Sequence, residues 1–484
     1  MMLEGPIDLF TVDTRVARGE RSFEQARALL ATKDGREQAR LRDPFESVRE
    51  VAGQSAFKAL RELEPGPAQV LHRDALLRWV HELLQARVSW ELTVDEADAI
   101  HAPDPSLASR AARERAIVST PTGPLAGTAP DLGASLVTFD TARRALVEAS
   151  APAAAEIAFR RLGELALPVV AVRKELRERR FEAARRLGLE HPWALAAESG
   201  ARAFEQLARA VLDATEPLAI ELQKDLRRRA GVGSLEPWRT IFEEGFGRDA
   251  REGWPARLNA RWLEDVFRAL APRRPRVASL PPALGGASFL RGAERWGFAL
   301  RLAGVARSLP FALARDPYPV EAWTFGGAFA AAVADRVFAK RKLGLSARSI
   351  DPHARVLGRS LLFTLRSRAG ELLAAMSDSA RDDELEELTA RVFGSPLPRA
   401  LAAAWSFGGF AGSARVDAPA RLVGAVRSHE LVRNLVDRFD EDWFDNPRAG
   451  AHLASIAAGP VWQGDVPTAD AVRALARAFE EALG

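Results

Sequence analysis

The stretch that opens at Leu284 constrains the fold more than any other part of the chain. It holds two apolar, helix-patterned segments, 288–309 and 320–342, separated by the breakers Asp316-Pro317-Tyr318-Pro319. The second carries the longest apolar run, Trp323–Ala334, which contains Thr324 and is about a third too short to span a bilayer. Helices this apolar must be buried, and elsewhere the apolar residues also recur at helical spacing. Leu71, Leu76, Leu77, Val80, Leu83 and Leu84 form one such stripe. No segment shows convincing period-two alternation, although Val277–Leu280 could supply one short strand. The expected fold class is all-α.

Composition narrows the function classes. With 484 residues, 47% hydrophobic and 27% charged, the chain can bury a large core, and its length alone admits about two to four domains. Of the 68 basic residues 62 are arginine, yet acids are interspersed among them and the net charge is only +3. That pattern argues against a nucleic-acid footprint. The absence of cysteine excludes disulfides and thiolate metal sites. The opening residues, MMLEGPIDLF, lack a basic-then-apolar signal pattern, so a cytoplasmic protein that does not insert into a membrane is expected.

Along the chain, residues 1–133 read as an N-terminal helical lobe ending in the Pro/Gly-rich loop 121–133, and 134–484 as the core of one body. Residues 136–189 are helix-patterned and end at Gly188, a good residue for a helix stop, with His191-Pro192-Trp193 opening the next element. A helix is expected to start at Thr215-Glu216-Pro217-Leu218, another over 350–376, and a last one near Leu483. No repeat of solenoid period is present.

Within the first apolar segment stands Glu294-Arg295-Trp296-Gly297-Phe298-Ala299-Leu300. It resembles a degenerate copy of H-E-x-G-H-A-L, the zinc helix of the helical metallopeptidases of the angiotensin-converting enzyme, thimet oligopeptidase and Taq carboxypeptidase type. Phe325-Gly326-Gly327 and Lys342-Leu343-Gly344-Leu345 resemble the second helix of that family, H-E-A-x-G, and its end. The segments 180–189 and 439–450 resemble others of its segments in the same order, while Arg239 after Pro237-Trp238 stands where the family often has an acid.

The resemblance implies a large zincin-like helical fold with two lobes around a central cleft. In such enzymes two histidines at i and i+4 hold zinc, and the glutamate beside the first acts on the attacking water. Matching Gly297-Phe298-Ala299-Leu300 to G-H-A-L puts Glu294 and Phe298 at the histidine positions and Arg295 at the glutamate. The third ligand position falls on Trp323, or on Glu321 after a two-residue slip. Phenylalanine has no lone pair to give a metal, and arginine stays protonated near neutral pH. The histidines (72, 81, 101, 191, 353, 429 and 452) include no i,i+4 pair, and the single tyrosine, Tyr318, is the one phenol available to an oxyanion.

Other motifs fail. The glycine pairs 285–286 and 326–327 lack the Lys-Ser/Thr of a phosphate loop, and Ser406-Phe407-Gly408-Gly409-Phe410 is not a nucleophile elbow. The expectation is therefore a catalytically inactive metallopeptidase-like protein with no catalytic residues, metal or cofactor. It would bind a peptide or protein segment at Glu294, Arg295, Phe298, Glu321 and Trp323. A structural or assembly scaffold is one alternative, and an enzyme using another residue set in the same cleft is a second. Arg295 is expected to be buried and paired with Glu321 or Glu294.

Overall fold

The computed structural model describes residues 7–104, 137–245, 247–270, 275–277, 279–376, 382–406, 417–460 and 465–484. Among these every regular element is a helix. The loop at 121–133 and residues 407–410 lie outside the described residues, and Val277–Leu280 forms no strand, with Ala278 also outside them.

The first apolar cluster is built by α1 (Leu9–Leu29), α2 (Lys33–Leu41), α3 (Gln54–Glu62), α4 (Val70–Val88) and α5 (Trp90–His101). Asp8 caps α1 by accepting from the amides of Phe10 and Thr11, and Thr32 caps α2. In α4 the stripe at Leu76, Val80, Leu83 and Leu84 is buried, but Leu71 is exposed beyond the end of the packed face. Asp13 ties this cluster to a distant part of the chain, its carboxylate accepting from the amides of Phe311 (2.7 Å) and Ala312 (2.8 Å).

A second cluster begins with α6 (Phe139–Glu148), α7 (Pro152–Glu164), α8 (Ala166–Arg186), α9 (Ala201–Ala230) and α10 (Pro237–Glu243). Gly188 stops α8 as its position suggested. It adopts φ +73° while the Leu189 amide reaches back to the Ala184 carbonyl. The chain at His191-Pro192-Trp193 forms turns instead of a new helix. Pro217, expected near a helix start, lies inside α9, which begins at Ala201. A proline withholds one backbone donor, but packing of α9 along the later long helix outweighs that loss here.

The remaining helices are α11 (Ala260–Val266), α12 (Gly286–Gly304), α13 (Phe311–Ala314), α14 (Val320–Ala334), α15 (Arg336–Arg341), α16 (Ala347–Met376), α17 (Asp382–Phe393), α18 (Arg399–Ser406), α19 (Ala418–Phe439), α20 (Pro447–Ala458) and α21 (Ala469–Leu483). The helix expected over 288–309 ends five residues early, because Val305 turns extended after Gly304 meets Ala457. The one expected over 320–342 is two helices. Asp335 is extended and its carboxylate accepts from the Val337 amide, capping α15.

Helix α14 lies between α12 and α19, and glycines set both crossings. A Cβ on Gly297 would stand 2.6 Å from the Phe325 carbonyl oxygen, and one on Gly326 would stand 2.7 Å from the Glu294 carbonyl oxygen. On the other side, a Cβ on Gly327 would meet Ser428 at 2.6 Å, and one on Gly424 would meet Trp323 at 2.5 Å. Close backbone approach is thus built into both interfaces, and the larger side chains Phe329 and Val333 fill the core beside them.

Gly297→Ala should destabilise the protein by about 1–3 kcal/mol through overpacking, despite alanine's better helix propensity. Gly163→Ala, in α7 with nothing within 4 Å of the added carbon, should be neutral or stabilising by up to about 1 kcal/mol. Urea melts of the two variants compare these directly.

Candidate functional site

Three of the five candidate residues come together where α12 and α14 cross. Glu294 and Phe298, four residues apart, share one face of α12. The Phe298 ring packs on Trp323 of α14 with centroids 4.9 Å apart and planes inclined at 60°. Arg368 of α16 joins the group. Its Nη2 donates to Glu294 Oε1 at 2.6 Å, both side chains being mostly buried, and its guanidinium lies 5.5 Å from the Trp323 ring. Arg421 of α19 also approaches that ring, at 5.2 Å.

A carboxylate supports the tryptophan from outside. Trp323 Nε1 donates to Asp417 Oδ2 at 3.1 Å, and Arg421 Nε holds the other oxygen of Asp417 at 2.8 Å. Burial works to lower the proton affinity of Arg421, yet Asp417 and Glu371 together hold its proton more tightly than usual. Burial pushes the Glu371 carboxyl up, against the pull of Arg421 and Arg368. The cluster therefore alternates guanidinium, carboxylate and aromatic ring, a composition that suits hydrogen bonding and stacking. Among the described residues no group of three or more His, Asp or Glu side chains is placed to hold a metal ion.

The other two candidates lie elsewhere. Arg295 has no carboxylate partner of the kind expected. It is exposed on α12, and its Nη1 donates to the Ser279 carbonyl (2.8 Å) and hydroxyl (3.1 Å). Residue 295 follows Glu294 by one position, which turns it about 100° around the helix and away from α14. Glu321 pairs instead with Arg301, the next residue on the Glu294–Phe298 face. Arg301 Nε donates to Glu321 Oε2 at 2.8 Å, Nη2 contacts the same oxygen, and Nη1 reaches the Ala457 carbonyl at 2.9 Å. Trp323, not Glu321, is the α14 residue that reaches Phe298.

Sequence reasoning missed Arg368, Glu371, Asp417 and Arg421. A signal existed for Arg368, which falls between Leu365 and Leu372 on the apolar stripe of α16. Nothing in the sequence pairs it with Glu294.

Beyond the Glu294–Arg368 pair a cavity of about 280 Å³ opens between α12, α14, α16, α19 and α21. Ala330, Ala331 and Ala334 give it a wall of small side chains, and Ser428 and His429 lie on the α19 side. No described helix is long and apolar enough to cross a membrane.

No family model matches the chain, and no curated protein matches it. Among solved structures it is similar to oligoendopeptidase-F from Enterococcus faecium, with 12% identity and a TM-score of 0.44 over 99% of this chain and 98% of that one. At that score the likeness carries no weight for chemistry.

Removing Arg368 strands a largely buried carboxylate, so Arg368→Ala should cost about 3–5 kcal/mol. Arg295→Ala, at an exposed position, should stay within about 0.5 kcal/mol of the parent protein. Denaturant midpoints of the two variants check both values.

Proposed function

We propose that this chain is a catalytically inactive relative of the helical zinc peptidases that holds a peptide or protein segment in the cleft beside Glu294 and Arg368. The observation that carries the reading is convergence. Glu294, Phe298 and Trp323, assigned to ligand positions by motif matching on two separate helices, meet in one cluster. Their chemistry does not suit a zinc centre. Phenylalanine and tryptophan offer no lone pair for a metal, the glutamate is engaged by Arg368, and Arg295, at the position of the general base, is a permanent cation facing away. The neighbouring cavity, walled by small side chains and ending at an ion pair, gives a segment both apolar surface and polar anchors.

Protein purified without chelator should contain far less than one zinc per chain by elemental analysis and should leave a peptide mixture uncleaved. Equilibrium dialysis against the same mixture should still retain peptides, and Ala331→Phe, which fills the cavity, should weaken that retention at least tenfold. Stoichiometric zinc with cleavage contradicts the inactive reading. Absence of any retention contradicts the binding reading and leaves the scaffold alternative.

A further inference from the structure

A separate pocket lies beside the cleft, between α4, α8, the turn at 191–193 and the ends of α16 and α18. Its interior space is about 60 Å³. At roughly 10–15 Å³ for each water position, that is room for about four to six waters, enough for the end of a ligand but not for a chain.

His191 and Gln85, which both line it, each carry a buried polar atom that has no partner among the described residues. His191 is only 7% exposed, and its Nδ1 accepts from the Trp193 amide at 3.1 Å. Accepting there leaves the proton of the neutral ring on Nε2, the atom without a partner. Burial, followed by the nearby Arg177, pushes His191 down to about 4, so the ring is neutral at physiological pH and Nε2 is a donor. Gln85 is 4% exposed, and its Nε2 lies 3.3 Å from His81 Nε2, which leaves Oε1 as a bare acceptor. A buried polar atom without a partner is costly, so two in one small pocket point to a ligand that satisfies both.

The charges around them fix its chemistry. Arg177 and Arg180 line the pocket together with Glu82, and Arg173 lines it while paired with Glu96 at 2.6 Å. Guanidinium groups and an N–H donor suit an oxyanion. The single bare acceptor and the carboxylate of Glu82 disfavour a dianion and favour a group with its own N–H beside the negative charge.

We propose that this pocket binds a carboxylate carrying an N–H on the neighbouring carbon, as at the C-terminal end of a peptide or in a free N-acyl amino acid. The carboxylate meets His191 Nε2 and the arginines, and the N–H meets Gln85 Oε1. The inference rests on the peptide reading above only for which molecule carries the carboxylate, since Ala375 of α16 places this pocket one helical turn beyond Glu371 of the cluster.

Calorimetric titration of the full chain with tetra-alanine, its C-terminal amide and N-acetylalanine tests it. Tetra-alanine should bind one per chain, at least tenfold more tightly than its amide, and Gln85→Met and His191→Phe should each weaken it at least tenfold. Binding of N-acetylalanine without tetra-alanine keeps the pocket's chemistry and overturns its use by a peptide. Equal binding of acid and amide, or unchanged binding in both folded variants, overturns the pocket while leaving peptide retention in the cleft intact. No binding of either carboxylate overturns the inference outright. Should a variant fail to fold, the comparison of acid with amide on the parent protein decides alone.

Discussion

The approach of the α12 and α14 backbones at Gly297 and Gly326 is the contact on which the rest of the central region depends. With no Cβ on either residue, two helices that carry polar side chains near their crossing still pack backbone against backbone. That proximity lets Phe298 reach Trp323 and places Glu294 within range of α16. Gly327 and Gly424 repeat the arrangement against α19 and bring in Arg421 and Asp417. The four glycines explain why short stretches of sequence dictate the geometry of helices distant along the chain.

Held that close, the helices need something at the crossing to compensate buried polarity. A metal does this by coordination, which fixes angles and leaves an open position for chemistry. Here a guanidinium does it, hydrogen-bonded to Glu294 and stacked toward an indole. Such a pair contributes modestly to net stability, because desolvation offsets most of the Coulomb attraction, but losing one partner is expensive. A guanidinium and an aromatic ring bind through hydrogen bonds and stacking and do not themselves activate water near neutral pH, which is the chemistry that the proposed binding role draws on. The pocket at His191 and Gln85 lies beyond this cluster, so a ligand could be read there without any contribution from the crossing.

Much of this was legible in the sequence, and the reasons are local. The all-α class followed from apolar residues at helical spacing, and the convergence of Glu294, Phe298 and Trp323 from glycine-anchored matches on two helices. What stayed hidden was long-range or rotational. Arg368 lies 74 residues from Glu294, and no local pattern connects them. Arg295 was misplaced because motif matching treats neighbouring positions alike, whereas one residue along a helix turns a side chain out to solvent. Arg301 illustrates the converse. It lies seven residues after Glu294, on the buried face, and takes the Glu321 partner expected for Arg295. Asp335 broke a helix through its own cap, a competition between side chain and backbone that apolar periodicity does not register.

A Glu294–Arg368 ion pair joins α12 to α16 at the crossing. A double-mutant cycle of Glu294→Ala and Arg368→Ala, read by denaturant unfolding in metal-free buffer, measures it most directly. The pair should show a coupling energy of about 1–3 kcal/mol, with the double variant less destabilised than the sum of the single ones. Additivity within about 0.5 kcal/mol would show that the two side chains do not act on each other and would contradict the claim.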